Sequence, residues 1–462
     1  MRKRTALFRG ASVLSLGARV IFALATAIGM FPSGAQAATP SLPSCAWRLE
    51  TDGTGITNVA YPDTDATYWT MPIDTASWKG VIINGRYPES RFFSFTTYVA
   101  TGSEVDAIHD VKIDPDRGST NPFRRGSAGQ NHQYTVTISG KPQAYGDPNQ
   151  INFGDTQLAW VIYRIYVADK GLDRMAGVPL PAVTLVAQDG SQHQLESCDT
   201  PDDQQLLLLL QELRNDGFAN VANYWQTKFS EGEDGGFAAD RNCQPEGQLV
   251  FWIPKNTGGY FPNPYNSYIG APSLCFHPGK VVIVRGKVAD YPDTYNGNPV
   301  WQPAIPGVIQ LRYWSMCNND QVKPYPVVAC QPDYATKLDR RGFYTYVVGD
   351  GDTPPSWLPP DATWLPWGSR LVRNTLIFRN MLPTTPPYNR SVQSAVAAGC
   401  VVNNQQGTPP PRADVVAAGQ CAQQVMGTYY PRAVFCDELV FRTLGWQACF
   451  ALAGGFGKLA EY

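Results

Sequence analysis

The chain has 462 residues, of which 43% are hydrophobic, 12% aromatic and 16% charged, and its formal net charge is -2. It is long enough for two or three domains with large cores, and its near-neutral charge excludes the basic face that nucleic-acid binding requires. Low charge together with 42 glycines and 38 prolines is typical of a loop-rich extracellular β-sandwich.

Residues 1–37 are typical of a secretion signal. Arg2, Lys3 and Arg4 form a basic head, an apolar run covers 20–25, and the segment ends in Gly34-Ala35-Gln36-Ala37. This pattern predicts cleavage after Ala37. The alternative is a retained membrane anchor, which needs about 20 apolar residues, more than this run contains. We therefore expect a secreted or periplasmic protein with no membrane span after signal removal.

Residues 38–199 predict a first β-sandwich. Runs of β-branched and aromatic residues are bounded by Gly, Pro, Asn and Asp, as strands and their turns are. Alternation in Phe93-Ser94-Phe95-Thr96 predicts one buried and one polar face. The predicted strands include 78–84, 91–100, 134–139, 159–167 and 182–188, with a hairpin turn at Asp189-Gly190.

Residues 200–246 predict a helical segment and a linker. Pro201-Asp202-Asp203 is typical of a helix start, and the leucine-rich stretch 206–213 is typical of the helix itself. The leucine run is too short for a membrane span, so we expect this helix to pack between two sandwiches. The Gly-rich acidic stretch 231–236 predicts the linker.

A second sandwich is predicted over 247–382, because motifs of the first copy recur in the same order. The strand and Gly-Arg-Tyr-Pro corner that precede Arg91 are echoed by 282–286 and Asp290-Tyr291-Pro292, which precede Arg312. Further pairs are 115–116 with 332–333, 133–136 with 343–346, and 160–164 with 375–379. The sequence thus predicts a mainly β protein of two tandem, diverged, jelly-roll-like β-sandwiches. Residues 383–462 predict a partly helical, disulfide-tied extension.

All 10 cysteines follow the predicted cleavage site. An even number in an exported chain predicts disulfides. Spacing does not define connectivity, so we expect sequence neighbours to pair; a zinc site is the alternative, but no Cys-x-x-Cys is present. The expected pairs are Cys45 with Cys198, Cys243 with Cys275, Cys317 with Cys330, Cys400 with Cys421, and Cys436 with Cys449.

Charged residues that recur in both copies are interpreted as structural. Shared groups in a diverged duplication are explained more simply by the fold than by a site in each copy, so we expect ion pairs or arginines bonded to loop carbonyls. Residues present in one copy are better site candidates. The recurring residues are Arg91, Asp116 and Arg164, aligned with Arg312, Asp333 and Arg379.

A histidine beside carboxylates occurs in the first copy. His109 and Asp110, followed by Asp114 and Asp116, could supply a general base and acid. Two other interpretations are open: a Ca²⁺-binding loop, described next, and a hydrogen-bonded turn with a solvated histidine.

Two loops carry oxygen ligands at spacings that suit Ca²⁺, although neither has the closing glutamate of an EF-hand. Apart from this possible Ca²⁺, no cofactor or metal is expected. The candidate ligands are Asp114, Asp116 and Asn121 in the first copy and Asp290, Asp293, Asn296 and Asn298 in the second.

Tryptophans in proline-framed sequence of the second copy are candidate ligand-binding residues. Flat indole rings at the mouth of a sandwich suit sugar rings or apolar ligands. The alternative is that they form a small core under long loops. The four residues are Trp301, Trp357, Trp364 and Trp367.

The sequence lacks a G-x-S-x-G elbow, a P-loop, a G-x-G-x-x-G after a strand and an H-E-x-x-H. Sites assembled from distant loops leave no local motif, so catalysis is not excluded. Two functions remain: a binding protein with an aromatic-lined site for a small molecule or glycan, or a hydrolase or lyase that uses His109 and the nearby carboxylates. The oligomeric state is undefined.

One resemblance is carried by Arg91-Phe92-Phe93-Ser94-Phe95 after Gly85-Arg86-Tyr87-Pro88, and by Val178-Pro179-Leu180-Pro181 before the closing hairpin. This pattern resembles uncharacterised exported bacterial proteins built on β-sandwich domains of unknown function. The match covers mainly the first copy. It implies export and a β-sandwich, and it assigns no reaction or catalytic residue.

Overall fold

The computed structural model describes residues 42–126, 129, 131–140, 148–229, 243–244, 247–256, 260–304, 307–404 and 410–454. The predicted signal and the predicted 231–236 linker lie outside these residues. Strands take up 37% of the chain and helices 19%, which confirms the prediction of a mainly β protein.

The first sandwich consists of two sheets, and the five predicted strands are confirmed to within two residues. Its strands are β1 (Leu49–Thr51), β2 (Ala66–Asp74), β3 (Trp78–Arg86), β4 (Ser90–Val99), β5 (Glu104–His109), β6 (Gln133–Ser139), β7 (Gln150–Asn152), β8 (Leu158–Ala168), β9 (Ala182–Ala187) and β10 (Gln192–Leu195). One sheet, called the first inner sheet, has the order β1-β2-β8-β4-β5, and the outer sheet has the order β10-β9-β3-β6-β7. Only β6 and β7 pair in parallel among these strands.

The second sandwich repeats this topology. Its strands are β11 (Gln248–Leu249), β12 (Ile253–Pro254), β13 (Asn266–Leu274), β14 (Lys280–Lys287), β15 (Tyr313–Asp320), β16 (Val327–Pro332), β17 (Phe343–Gly349), β18 (Thr363–Pro366), β19 (Asn374–Met381), β20 (Val401–Val402) and β21 (Arg432–Asp437). The second inner sheet is β13-β19-β15-β16, the outer sheet is β11-β21-β14-β17-β18, and β12 pairs with β20. The inner order matches β2-β8-β4-β5, and the outer order matches β9-β3-β6-β7, including the parallel last pair.

The extension after residue 382 completes the second sandwich. Strand β21 lies in the position that β9 occupies in the first copy, with two helices and a short strand between it and β19. This long separation hid the last strand from the sequence comparison, which placed 383–462 outside the sandwich.

In the ranges that the structure describes, five helices accompany the sheets: α1 (Gln205–Asn215), α2 (Ala219–Phe229), α3 (Val392–Ala397), α4 (Arg412–Met426) and α5 (Glu438–Leu452). Short 3-10 turns occur at Gly55–Thr57, Asp110–Lys112, Thr294–Asn296, Asp333–Ala335 and Gly427–Tyr429. The prediction of a helix after Pro201 is confirmed, whereas α2 was not predicted. No helix in the described ranges combines the length and apolar character needed to cross a membrane.

The helical pair lies on the first inner sheet. Leu213 of α1 and Trp225 of α2 pack on Trp160 and Ile162 of β8, and Trp225 stacks on Phe261 from the second copy with ring centroids 4.6 Å apart. The pair therefore covers one part of this sheet beside the contact between the sandwiches. Burial of these apolar rings holds the pair in place.

The five predicted disulfides are confirmed, and they involve all ten cysteines. The bond between Cys45 and Cys198 joins the two ends of the first sandwich, across a sequence separation of 153 residues. The bond between Cys436 and Cys449 joins β21 to α5. A closed loop restricts the unfolded chain, so these bonds favour the folded state.

The two inner sheets pack against each other. Strands β4, β8, β15 and β19 have almost no exposed residue, and Tyr166 meets Tyr313 across the contact with ring centroids 5.5 Å apart. The predicted polar face of β4 is therefore wrong. Ser94 and Thr96 are buried because the second sandwich covers the face that the first would otherwise expose.

The alignment of the two copies needs one correction. Asp110 and Asp333 each open a 3-10 turn after an equivalent strand, and each accepts a backbone N–H from its inner sheet, from Phe93 and Trp314 respectively, at 3.2 Å. Asp333 therefore corresponds to Asp110. Asp116 corresponds to Asp339, and the shared Pro-Asp dipeptide had suggested a shifted match.

The duplicated arginines bond across the contact in a reciprocal way. Arg91 of the first copy pairs with Asp333 of the second, and Arg312 of the second copy pairs with Asp110 of the first at 3.2 Å. The prediction of structural ion pairs is confirmed for these arginines, and we call the two bonds the crossed ion pairs. They join the sandwiches and do not lie within either one.

A second reciprocal pair uses arginine and carbonyl groups. Arg164 Nη2 donates to Phe261 O at 3.0 Å, and Arg379 Nη2 donates to Tyr61 O at 2.6 Å. Both acceptors have positive φ, 51° for Phe261 and 56° for Tyr61, which turns the chain into the contact. A signal for this pair is present in the sequence but was missed when the two copies were compared: the triplets Tyr61-Pro62-Asp63 and Phe261-Pro262-Asn263 lie 200 residues apart.

A cluster of carboxylates is enclosed at the same contact. Asp63 accepts hydrogen bonds from Tyr313 at 3.0 Å and from Ser315 at 2.7 Å, and Asp65 accepts from Tyr334 at 2.6 Å. Burial, with a further contribution from Asp63, raises the pKa of Asp65 to about 7. Burial also raises the pKa of Asp333 to about 6, against the opposing effect of Arg91.

Candidate ligand-binding cleft

The predicted histidine and aspartate pair lies at the contact between the sandwiches. His109 Nδ1 is 3.3 Å from Asp110 Oδ1, and the ring packs against Tyr265 with centroids 4.7 Å apart. Asp110 is fully buried. Burial alone would raise its pKa, but Arg312 and His109 outweigh that effect and hold the pKa below its usual value. Asp110 is therefore an ionised structural group at neutral pH.

The neighbouring carboxylates have partners of their own. Asp114 forms an ion pair with Arg124 at 2.6 Å. Asn121 Nδ2 donates to the carbonyls of Asp110 and Ile113, and its Oδ1 accepts from Phe123 N at 2.8 Å. Asp116 is half-buried and bonds through its backbone N–H to Gln133 O. These contacts stabilise the loop conformation, which agrees with the interpretation of a hydrogen-bonded turn.

The second predicted Ca²⁺ loop is also closed by internal bonds. Asn296 Nδ2 donates to Asp293 Oδ2 at 2.8 Å, and Asn298 N donates to Asp293 O at 3.2 Å. Asp290 lies at the base of the next loop, where its carbonyl accepts from Gln310 N and Leu311 N. Asn296 thus presents its amide nitrogen to the carboxylate, an arrangement that opposes joint cation binding by the two side chains.

Three of the four candidate tryptophans pack inside the protein. Trp364 lies on β18 and is 5% exposed, with Trp357 and Phe441 against it. Trp367 is 3% exposed within the core of the second sandwich. The expectation of an exposed aromatic surface is wrong for Trp364 and Trp367, because Trp364 packs with residues of α5 and Trp367 packs in the core between the two sheets. Trp357 completes the same cluster.

Trp301 is different because it is 37% exposed and lines an open cleft of about 430 Å³. Val308, with 59% of its surface exposed, lies on the same wall. The full lining is Phe123, Val300, Trp301, Pro303, Gly307, Val308, Ile309, Arg312, Leu382 and Thr384. A concave, mainly apolar cleft with a few polar groups is the usual form of a small-molecule site.

One wall comes from a long loop of the first copy, 113–126. Asn121 fixes it through the bonds given above, and Arg124 Nε donates to Val111 O at 2.8 Å. These bonds hold Phe123, which is 6% exposed, against Tyr87 and Phe93. The equivalent connection in the second copy, 336–342, is much shorter.

The opposite wall is an insertion of the second copy, residues 288–304 and 307–312, which we call the strap. Its base is closed where Asp290 N donates to Gln310 Oε1 at 2.8 Å. Thr294 Oγ1 accepts from Arg91 Nε at 3.2 Å, and Val300 is buried in the core cluster of the first sandwich. The strap therefore spans from the second sandwich onto the first and carries Trp301 with it.

The cleft thus lies between two segments that each occur in one copy. Trp301 was predicted from sequence, but Phe123, Val308, Ile309 and Leu382 were not. The available signal was the difference in length between equivalent connections: strand β4 follows β3 after three residues, whereas β15 follows β14 after twenty-five. The residues of these insertions look like ordinary apolar loop residues.

Comparisons with known proteins show no assigned relative. No family model matches the sequence, and no curated protein matches it. Among solved structures, the chain is similar to an uncharacterised protein from Burkholderia cenocepacia, with a TM-score of 0.44, 11% identity, and coverage of 74% of this chain and 81% of that one. A structural-genomics target from Vibrio parahaemolyticus gives a TM-score of 0.33, 12% identity, and coverage of 69% and 84%. These values assign neither family nor function.

Proposed function

We propose that this chain is an exported, disulfide-stabilised binding protein whose ligand lies in the cleft beside Trp301. The observation that carries the proposal is the origin of the cleft. Most of its lining residues belong to the strap and Phe123 belongs to the long loop of the first copy, both single-copy segments, and the partly exposed indole of Trp301 lies among them. Exposed aromatic and aliphatic side chains around a concavity are typical of ligand sites.

The catalytic alternative has less support. Asp110 is buried and held by Arg312, and Asp114 is paired with Arg124. General acid–base catalysis needs titratable groups that converge on a substrate. The geometry of His109 and its neighbours favours a structural role.

Ligand-observed NMR screening of small apolar and glycan compounds tests the binding function. We expect at least one binder whose signal is lost with Trp301→Ala and kept with Leu371→Ala, a control at an exposed apolar side chain outside the cleft. Binders that respond equally to both substitutions would contradict the proposal.

Export is tested separately by the intact mass of secreted material. The expected mass is that of a chain that begins at Ala38 with all ten cysteines oxidised. A mature start far from Ala38, or free thiols after denaturation without reductant, would contradict export with intact disulfides.

A further inference from the structure

Arg312 is the one ionisable side chain in the described lining of the cleft, and only one edge of it is used by the protein. Its Nη1 donates to Asp110 Oδ1 at 3.2 Å and to Arg91 O at 3.1 Å. Within the described part of the chain, Nε and Nη2 have no partner, and neither is an enclosed unsatisfied atom. That second edge is therefore accessible to solvent, and Arg312 is a lining residue of the cleft.

We propose that the cleft binds a monocarboxylate with an apolar body, whose carboxylate accepts two parallel hydrogen bonds from Nε and Nη2 of Arg312. The inference rests on the proposed function of ligand binding at this cleft. The planar guanidinium matches a carboxylate in this two-bond geometry. The apolar body lies between the Trp301 ring and the aliphatic wall of Val308, Ile309 and Leu382.

Asp110 orients the guanidinium without competing for the ligand. It is fully buried and bonds Arg312 from the side opposite the open edge, and its other oxygen accepts from Phe93 N at 3.2 Å. The pKa of Asp110 lies below its usual value, so the anchor stays charged at neutral pH. A fixed donor pair costs less ordering on binding than a mobile one.

The lining favours an apolar acid over a neutral sugar. Besides Arg312, polar side-chain atoms in the lining belong only to Thr384 and the Trp301 indole. A sugar ring has many hydroxyl groups, and a hydroxyl that is buried without a partner weakens binding. An acid with one polar end leaves no such group unpaired.

The test compares 2-naphthoate with 2-naphthylmethanol by isothermal titration calorimetry on the full mature chain. These probes share a ring and differ in the carboxylate. We expect the acid to bind about tenfold or more tightly than the alcohol, since one bidentate charge-assisted contact is of that order. Arg312→Lys, which keeps the charge near Asp110 but loses the fork, should remove most of this preference.

Arg91→Lys is the matched control, because Arg91 is the counterpart of Arg312 in the other crossed ion pair and does not line the cleft. It should lower stability and keep the preference for the acid. Val308→Glu guards against a misfolded Arg312 variant. Its carboxylate lies on an exposed wall and should weaken binding of the acid more than binding of the alcohol, because both probes lose the valine contact and only the acid meets a second negative charge.

The outcomes separate the two proposals. If the acid and the alcohol bind with equal affinity and Trp301→Ala weakens the binding of both, the carboxylate assignment is overturned and the cleft is supported as the binding site. Tighter binding of glucuronate than of 2-naphthoate overturns the inference that the ligand has an apolar body. Failure of the acid to bind at millimolar concentration overturns the inference, and binding that ignores Trp301→Ala overturns the proposed function as well.

Discussion

The buried arginines have different partners, although they occupy equivalent positions. Arg379 lies 3.8 Å from Asp63, a buried carboxylate. Arg164 has hydroxyl and carbonyl partners, namely Thr96, Tyr98 and Phe261, and no carboxylate within ion-pair distance in the described chain. The sequence predicted ion pairs or bonds to loop carbonyls for both arginines; Arg379 has partners of both kinds, whereas Arg164 has a loop carbonyl and, among the described residues, no ion pair.

We expect Arg379→Met to destabilise the protein more than Arg164→Met. Loss of Arg379 leaves Asp63 with an uncompensated buried charge, at a cost of about 3–5 kcal/mol. Loss of Arg164 leaves neutral acceptors unpaired, at a cost of about 1–3 kcal/mol. Urea unfolding of both variants measures the difference, and equal costs would contradict this account.

The tryptophans give a second prediction at the same scale. Trp364→Ala and Trp367→Ala remove buried rings and should each lower the free energy of unfolding by about 3–5 kcal/mol. Trp301→Ala removes a ring at the cleft mouth and should change it by less than about 1 kcal/mol. Thermal melts of the three variants measure these changes. A large loss of stability for Trp301→Ala would show that its ring contributes to core packing.

Among the strands, a glycine and tyrosine pair is repeated in both outer sheets. Gly85 faces Tyr134 across β3 and β6, and Gly286 faces Tyr344 across β14 and β17. Each tyrosine ring lies directly over its glycine, so a Cβ there would overlap the phenol group. The glycine is needed for this close approach, which extends the core over the strand.

Gly286→Ala should therefore destabilise the second sandwich by roughly 1–3 kcal/mol through overpacking. Gly140→Ala is the control, because no atom in the described part of the chain lies within 4 Å of a Cβ at that position; a surface change of this kind stays within about 0.5 kcal/mol. Chemical denaturation of the two variants gives the comparison. Equal stability would mean that the tyrosine ring moves aside without cost.

The strands were largely predictable from sequence, since β-branched and aromatic runs between turn residues define them well. What sequence could not supply was the second buried face of β4. The alternation of Phe93 and Ser94 predicts a solvent-exposed face, yet Ser94 is covered by another part of the same chain. Helix α2 was missed because its start has no clear capping signal.

At the scale of the whole molecule, the contact between the sandwiches predicts a dependence on pH. The pKa values of Asp65 and Asp333, about 7 and about 6, lie above the ordinary 3.8. The folded state therefore binds more protons than the unfolded chain between about pH 4 and pH 7, and the free energy of unfolding falls as pH rises through this window. The pKa values of Asp110 and Asp339 are lowered, so their contribution is lost only at more acidic pH.

We expect a higher urea midpoint at pH 5 than at pH 8. Asp65→Asn, which keeps an acceptor for Tyr334, should reduce that difference by raising stability at pH 8. Unfolding curves of the wild type and the variant at both pH values provide the measurement. A midpoint that rises from pH 5 to pH 8 would contradict the assignment.

The duplication was visible in the sequence, and so were the five disulfides. The cleft was not, because its walls meet only when the strap of one copy reaches the loop of the other. Val300 illustrates the reason: it belongs to the second copy in sequence and packs in the core of the first. Local patterns report which face a residue prefers, and they do not report which neighbour covers it.

The crossed ion pairs have one more consequence, which concerns symmetry. Arg91 reaching Asp333 while Arg312 reaches Asp110 is the pattern that two identical subunits make around a two-fold axis. Two separate identical subunits would have to repeat any lengthened loop on both sides of that axis. Two halves joined in one chain are released from this condition, so a strap can occur once and meet a loop that also occurs once. The cleft beside Trp301 draws its sides from segments that a symmetric pair of identical subunits would have to carry twice.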